Sequence, residues 1–176
     1  STTLAAQLLL RSRPGSEADA VLADIAAGSR TTVALLENAD WGDTGLSCTL
    51  AADGVLTGTK KFVADAEAAA LFVVVVEHEG APALAIVRTE QLAEGAITAN
   101  TLIDQTKRSA TVVVTGVTVA PADMVTGPGV ASALRDFQLL GALLTAAEAT
   151  GSAASCLDTI VDYLKTRKQF GKLIGS

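Results

Sequence analysis

From Ala131 to Lys168 the sequence contains no proline and no cluster of turn residues. A stretch of this length reads as one continuous helix of about 55 Å. Its first half, through Leu139-Leu140-Gly141-Ala142-Leu143-Leu144, is apolar nearly all round. That pattern belongs to a helix surrounded by other helices, not to one with a broad wet face. Gly141, Gly151, Ser152, Ala153 and Ala154 leave small surfaces against which a neighbouring helix can approach closely. The rest of the chain cannot cover such a helix. It therefore implies further helices, a partner chain, or both.

The preceding residues divide into two kinds. Residues 4–10 and 16–27 read as helices, separated by the break Arg11-Ser-Arg-Pro-Gly15. Ser16 is a suitable N-cap, Glu17 and Asp19 suit a first turn, and Gly28 supplies the stop. From Thr31 the pattern changes to short β segments at 31–36, 46–51, 55–60, 62–64, 71–76, 83–87, 97–102 and 111–119. Asp53-Gly54 is a strong hairpin signal, and a turn containing Gly80 and Pro82 joins two Val-rich segments. Short strands with frequent turns predict a compact antiparallel barrel or sandwich. Ala120-Pro121 ends this region, and Gly127-Pro128-Gly129 is a loop leading into the long helix.

Bulk properties narrow the function. A net charge of −6 argues against nucleic acid as the main partner, since phosphate binding needs a basic surface. The longest apolar run, Ala68 to Val76, falls well short of the ~18 residues of a membrane span and reads as a buried strand. No membrane association is expected. Cys48 and Cys156 sit in apolar contexts and read as buried free thiols, which with the lack of a signal-peptide pattern predicts a cytoplasmic protein. One histidine and two distant cysteines give no metal-ligand spacing. His78, between Glu77 and Glu79, reads as a solvated turn residue, and Asp104-x-x-Lys107-Arg108 as a capped loop.

Lys and Arg concentrate at 165–172, in Lys165-Thr-Arg167-Lys-Gln169-Phe170-Gly171-Lys172. Arg followed three residues later by Phe-Gly at the end of a long helix resembles the acyl-CoA dehydrogenases. Other segments carry the same resemblance in order. Ala34-Leu-Leu-Glu37 is similar to the family strand ending in Thr-Glu. Gly58-Thr-Lys-Lys61-Phe62-Val-Ala64-Asp65 is similar to Gly-x-Lys-x-aromatic-Ile-Thr/Ser-Asn, and Thr118-Val-Ala-Pro121 to the Val-x-Val-Pro that closes the barrel. The resemblance covers essentially the whole chain. It implies an α+β multidomain fold of three parts. These are the end of an N-terminal helical domain (1–30), a middle antiparallel β-barrel (31–126), and the first long helix of a truncated C-terminal helical bundle (127–176).

In that family a Glu removes a proton from the α carbon of an acyl-CoA thioester while the β hydrogen leaves as hydride to FAD. The resemblance further implies that Arg167, Gln169 and Phe170 bind FAD, reaching a neighbouring subunit's cofactor. The bland reading of the same residues is a basic helix end complementing the helix dipole. Trp41, with Gly42 and Asp43, falls in a loop that in the family lies near the CoA.

Several positions depart from the pattern. The residues that offer hydroxyls to the flavin ring are Leu36 and Ala64 here. The family's CoA-contacting Arg falls at Ala142, and an alternative position for the catalytic Glu at Gly141. The neighbouring acids, Asp136 and Glu148, are a turn or more away, so no catalytic residue is expected in this chain. The losses are selective and leave the residues donated across an interface. The chain thus resembles the non-catalytic partner in a heteromeric acyl-CoA dehydrogenase, an α2β2 assembly of homologous subunits associated with steroid side-chain CoA substrates. Two alternatives stay open: an autonomous dehydrogenase whose Glu lies on residues absent here, and a flavin-free structural subunit.

Overall fold

The computed structural model describes residues 1–12, 16–40 and 45–175. The Arg13-Pro14-Gly15 break, the side chains of Ser16 and Glu17, and Trp41-Gly42-Asp43 lie outside the described residues. The chain forms two compact units, Ser1–Phe137 and Gln138–Ser176.

Two helices open the first unit, α1 (Thr2–Arg11) and α2 (Ser16–Ala26). Gly28 ends α2 as the sequence predicts. With φ of 103° it lets Ser29 N–H reach Asp24 O while its own N–H reaches Ile25 O, which satisfies the last carbonyls of the helix.

The strands follow as β1 (Thr31–Ala34), β2 (Thr49–Leu50), β3 (Leu56–Thr57), β4 (Thr59–Ala64), β5 (Leu71–His78) and β6 (Ala81–Arg88). Then come β7 (Ile97–Ala99), β8 (Ser109–Val113) and β9 (Met124–Val125). One sheet has the order β3-β2-β5-β6-β9, with β1 also paired to β5, and a second has the order β4-β8-β7. The pairing is antiparallel except along one edge of β5, where β1 and β2 run parallel to it. The sheets are joined at both sides. Lys61 N–H donates to Leu36 O on one, and Val119 N–H to Gly54 O on the other. The result is a flattened barrel.

Period-two alternation in β5 and β6 explains how the layers form. Phe72, Val74 and Val76 face a core shared with Val112 and Ala110 of the second sheet. Leu71, Val73 and Val75 face the opposite way, into a core with Leu8 and Leu9 of α1 and Val21 of α2. Both faces being apolar, these strands read as nearly continuous hydrophobic runs. The hairpin between them turns on Glu79-Gly80, both at positive φ, a two-residue turn that suits the twist of the strands. Two corrections follow. Pro82 lies within β6, opposite Glu77, and not in the turn. His78 is the last residue of β5, half-buried, with Nδ1 2.7 Å from Leu50 O, so it is not a solvated loop residue.

Helix α3 spans Gly129–Thr166. Its start, Val130 and Ala133, is buried in the core with α1 and α2. Leu139, Leu143, Leu144, Leu157 and Ile160 are exposed, and so is Cys156, where a buried thiol is expected from sequence. By length and composition α3 is also apolar enough to cross a bilayer, which the longest uninterrupted apolar run does not register. The same composition suits a helix packed among helices.

Candidate functional site

The residues that the sequence resemblance assigns to a flavin fall in two places, one in each unit. In the first, the chain leaves β1 at Ala34 and passes through Leu35, Leu36 and Glu37 beside β4. Thr32 Oγ1 donates to Ala64 O at 2.6 Å, and Lys61 N–H donates to Leu36 O at 2.7 Å. The carbonyls of the two positions expected to face the flavin are therefore already engaged. Their side chains, Leu and Ala, bring no hydroxyl. Between Lys60 and Val63 the pairing of β4 with β8 shifts register, and Phe62 takes φ of 54° with nearly half its surface exposed. A bulky residue in this region is uncommon and costs about 1–2 kcal/mol.

Under this surface lies an ion pair that the sequence reading does not find. Lys60 is fully buried, and its Nζ lies 2.5 Å from Glu37 Oε1 and 3.2 Å from Leu35 O. Glu37 also accepts from Cys48 N–H at 3.0 Å and, through Oε2, from the Ser47 N–H at 2.7 Å and the Ser47 hydroxyl. Burial pushes the Glu37 carboxyl up. The hydrogen bonds from Lys60, Ser47 and Cys48 together more than offset it, bringing its pKa from 4.5 down to about 2. Burial raises the neighbouring Cys48 thiol, so that group stays protonated. Glu37 thus joins β1, β4 and the segment before β2. The signal was present: residue 60 is an inward position of β4, alternating with exposed Lys61.

Three other acids singled out in the sequence have structural settings. Asp136 is ion-paired with Arg11 at 3.0 Å, and Glu148 is exposed on α3. Asp104 accepts from Thr106, and Arg108 donates to Gln105 O and Lys107 O, so the 104–108 loop is capped by its own residues.

The second place is the end of α3. The helix stops at Thr166, and the chain turns back as a ribbon of β10 (Lys168–Gln169) and β11 (Lys172–Leu173). Phe170 and Gly171 form its two-residue turn, with φ of 51° and 79°. Gln169 lies opposite Lys172, Lys168 opposite Leu173, and Ile174 N–H donates to Arg167 O at 3.0 Å. Alternation then puts Arg167, Gln169 and Lys172 on one face, and Lys168 and Leu173 on the other. Phe170, at the tip, is fully exposed (102%). Gly175 N–H donates to Leu164 O, tying the ribbon to its helix.

Comparison with known proteins gives this geometry its context. Residues 127–176 match the family model of the acyl-CoA dehydrogenase C-terminal domain. The acyl-CoA dehydrogenase IpdE2 of Mycolicibacterium smegmatis is 52% identical over 52 residues, 28% of this chain and 17% of that protein. The structure of glutaryl-CoA dehydrogenase from Mycobacterium smegmatis aligns with a TM-score of 0.71 and 25% identity, over 90% of this chain and 42% of the other. The fold is that of the acyl-CoA dehydrogenases, and residues 127–176 carry the match to their C-terminal domain. A glutaryl-CoA dehydrogenase from Mycobacterium smegmatis in complex with FADH2 aligns with a TM-score of 0.72 at 21% identity, over 93% of this chain and 44% of the other. The chain thus spans less than half the length of these structures and a smaller share of IpdE2.

The ribbon residues fit an FAD. Arg167 offers a planar guanidinium suited to a pyrophosphate, Gln169 an amide on the same face, and Phe170 a fully exposed aromatic surface. The positions at Leu36 and Ala64 suit the flavin ring less well, because each has lost its side-chain donor.

Proposed function

We propose that this chain is the non-catalytic subunit of an FAD-dependent acyl-CoA dehydrogenase and completes the FAD site of a homologous partner. The observation that carries the reading is an asymmetry. Arg167, Gln169 and Phe170 are presented together on an exposed, hydrogen-bonded ribbon. The ring-facing hydroxyls, the CoA-binding Arg and the alternative base position are replaced by Leu36, Ala64, Ala142 and Gly141.

In this reading Arg167 holds the pyrophosphate, Gln169 hydrogen-bonds beside it, and Phe170 packs on the adenine. FAD, when bound, accepts the hydride released in α,β-dehydrogenation of the acyl-CoA. The partner subunit supplies the base and the ring contacts. The exposed leucines of α3 lie against further helices in an α2β2 assembly. The match to IpdE2 supports an acyl-CoA dehydrogenase partner. Steroid side-chain CoA thioesters are the proposed substrates, on the strength of the sequence resemblance alone.

The test is co-expression of the protein with a homologous acyl-CoA dehydrogenase subunit, followed by flavin absorbance of the complex and of each subunit alone. Flavin in the complex and little or none on this chain alone is the expected result. Stoichiometric flavin on this chain alone would favour an autonomous dehydrogenase. A stable complex without flavin would favour a structural subunit.

A further inference from the structure

We propose that Lys172 is a further anion-binding residue of the cofactor site, acting on the pyrophosphate of FAD from the same face as Arg167 and Gln169. This rests on the cofactor reading of the ribbon given above and adds a residue that the Arg-x-x-Phe pattern does not contain.

The argument is one of register. In a two-residue hairpin the residues flanking the turn face each other, so Lys172 is the direct cross-strand neighbour of Gln169. The hydrogen bond from Ile174 N–H to Arg167 O carries the same alternation one pair further and puts Arg167 on that face too. Lys168 is next to Gln169 in sequence but pairs with Leu173 on the opposite face. Two lysines in one short ribbon therefore have different prospects: one stands beside the guanidinium and the amide, the other behind them.

Charge points the same way. Lys165, Arg167, Lys168 and Lys172 form a run without an acid in a chain of net charge −6. Lys165 is held by Asp162 at 3.2 Å, whereas no ion pair is found for Lys172 among the described residues. A pyrophosphate presents more oxygens than one guanidinium satisfies. A lysine is a flexible point charge that suits the remaining ones.

The experiment is FAD titration of the complete assembled complex at two ionic strengths, with Lys172→Gln, Lys168→Gln, Lys172→Arg and Arg167→Ala compared with wild type. Lys172→Gln is expected to weaken FAD binding by about 3- to 10-fold and to make it less sensitive to salt, because one cation is lost from the contact. Lys168→Gln should leave affinity within about twofold, and Lys172→Arg should restore it. Equal losses for Lys172→Gln and Lys168→Gln would reduce the effect to diffuse charge and overturn the assignment. So would an unchanged Lys172→Gln beside a weakened Arg167→Ala, a result that leaves the cofactor reading standing. An unchanged Arg167→Ala would instead overturn the cofactor reading itself. Circular dichroism of each variant confirms that the exposed substitutions leave the fold intact.

Discussion

Lys60 extends from β4 into the barrel and places its ammonium 2.5 Å from the carboxylate of Glu37, at the end of the chain leaving β1. Neither strand pairs with the other in a ladder, so this contact helps to set how the two sheets meet at that edge. Removing one partner strands the other charge. Lys60→Met or Glu37→Gln is expected to cost about 3–5 kcal/mol, and replacing both by apolar residues of similar size much less. A double-mutant cycle by chemical denaturation measures this. Additive single-mutant losses would show that the pair is not coupled.

The same pair gives a pH dependence. The folded-state pKa of Glu37 is depressed from 4.5 to about 2, so the folded state favours the ionised form. Its contribution is full above pH 4.5 and disappears as the pH falls through the folded value. The loss amounts to about 3 kcal/mol. Stability of the wild type should fall in that window, and Glu37→Gln should flatten the fall while lowering stability at neutral pH.

Gly58 joins β3 to β4 with φ of 144°. A Cβ there would lie 2.1 Å from Cys48 Sγ and 2.9 Å from Cys48 Cα. Gly58→Ala must therefore move the backbone, and a loss of about 2–4 kcal/mol is expected by thermal or urea unfolding. Cys48→Ala removes the nearer obstacle but not the Cα, so the double variant should recover only part of the loss.

Much of this fold is written locally. The stop at Gly28, the run of short strands and the unbroken α3 follow from glycine, period-two alternation and the absence of proline. The Asp53-Gly54 signal marks a true hairpin, although Gly54 serves in a three-residue loop at φ of 84°. Lys60 is easily missed, because Lys60-Lys61 looks like a solvated pair. Its partner is distant in sequence, and only the alternation of β4 assigns one lysine inward and one outward. His78 was misjudged for a related reason: flanking glutamates suggest solvent, while the strand carries it to Leu50. The spacing of Arg167 and Phe170 is visible in the sequence, and their cofactor role rests on the resemblance. The ribbon that puts Lys172 beside Gln169 is not visible there, since it depends on Phe170 adopting a conformation that glycine usually supplies.

The purified chain on its own should not reduce an artificial electron acceptor with any acyl-CoA. Gly141 and Ala142 leave neither a base nor the CoA-binding Arg at those positions of α3. Adding the homologous subunit should restore turnover. Activity from the isolated chain would contradict its assignment as the non-catalytic member.

The central claim is that Arg167 completes a flavin site held mainly by another subunit. It is tested most directly by titrating the assembled complex with FAD, Arg167→Ala against wild type. A charged hydrogen bond to pyrophosphate is worth about 1.5–3 kcal/mol, so affinity should fall about 10- to 100-fold. The melting temperature of the chain alone should barely move, because Arg167 is an exposed residue just past the helix end. Unchanged FAD affinity would contradict the account and leave the basic ribbon as an ordinary cap on α3.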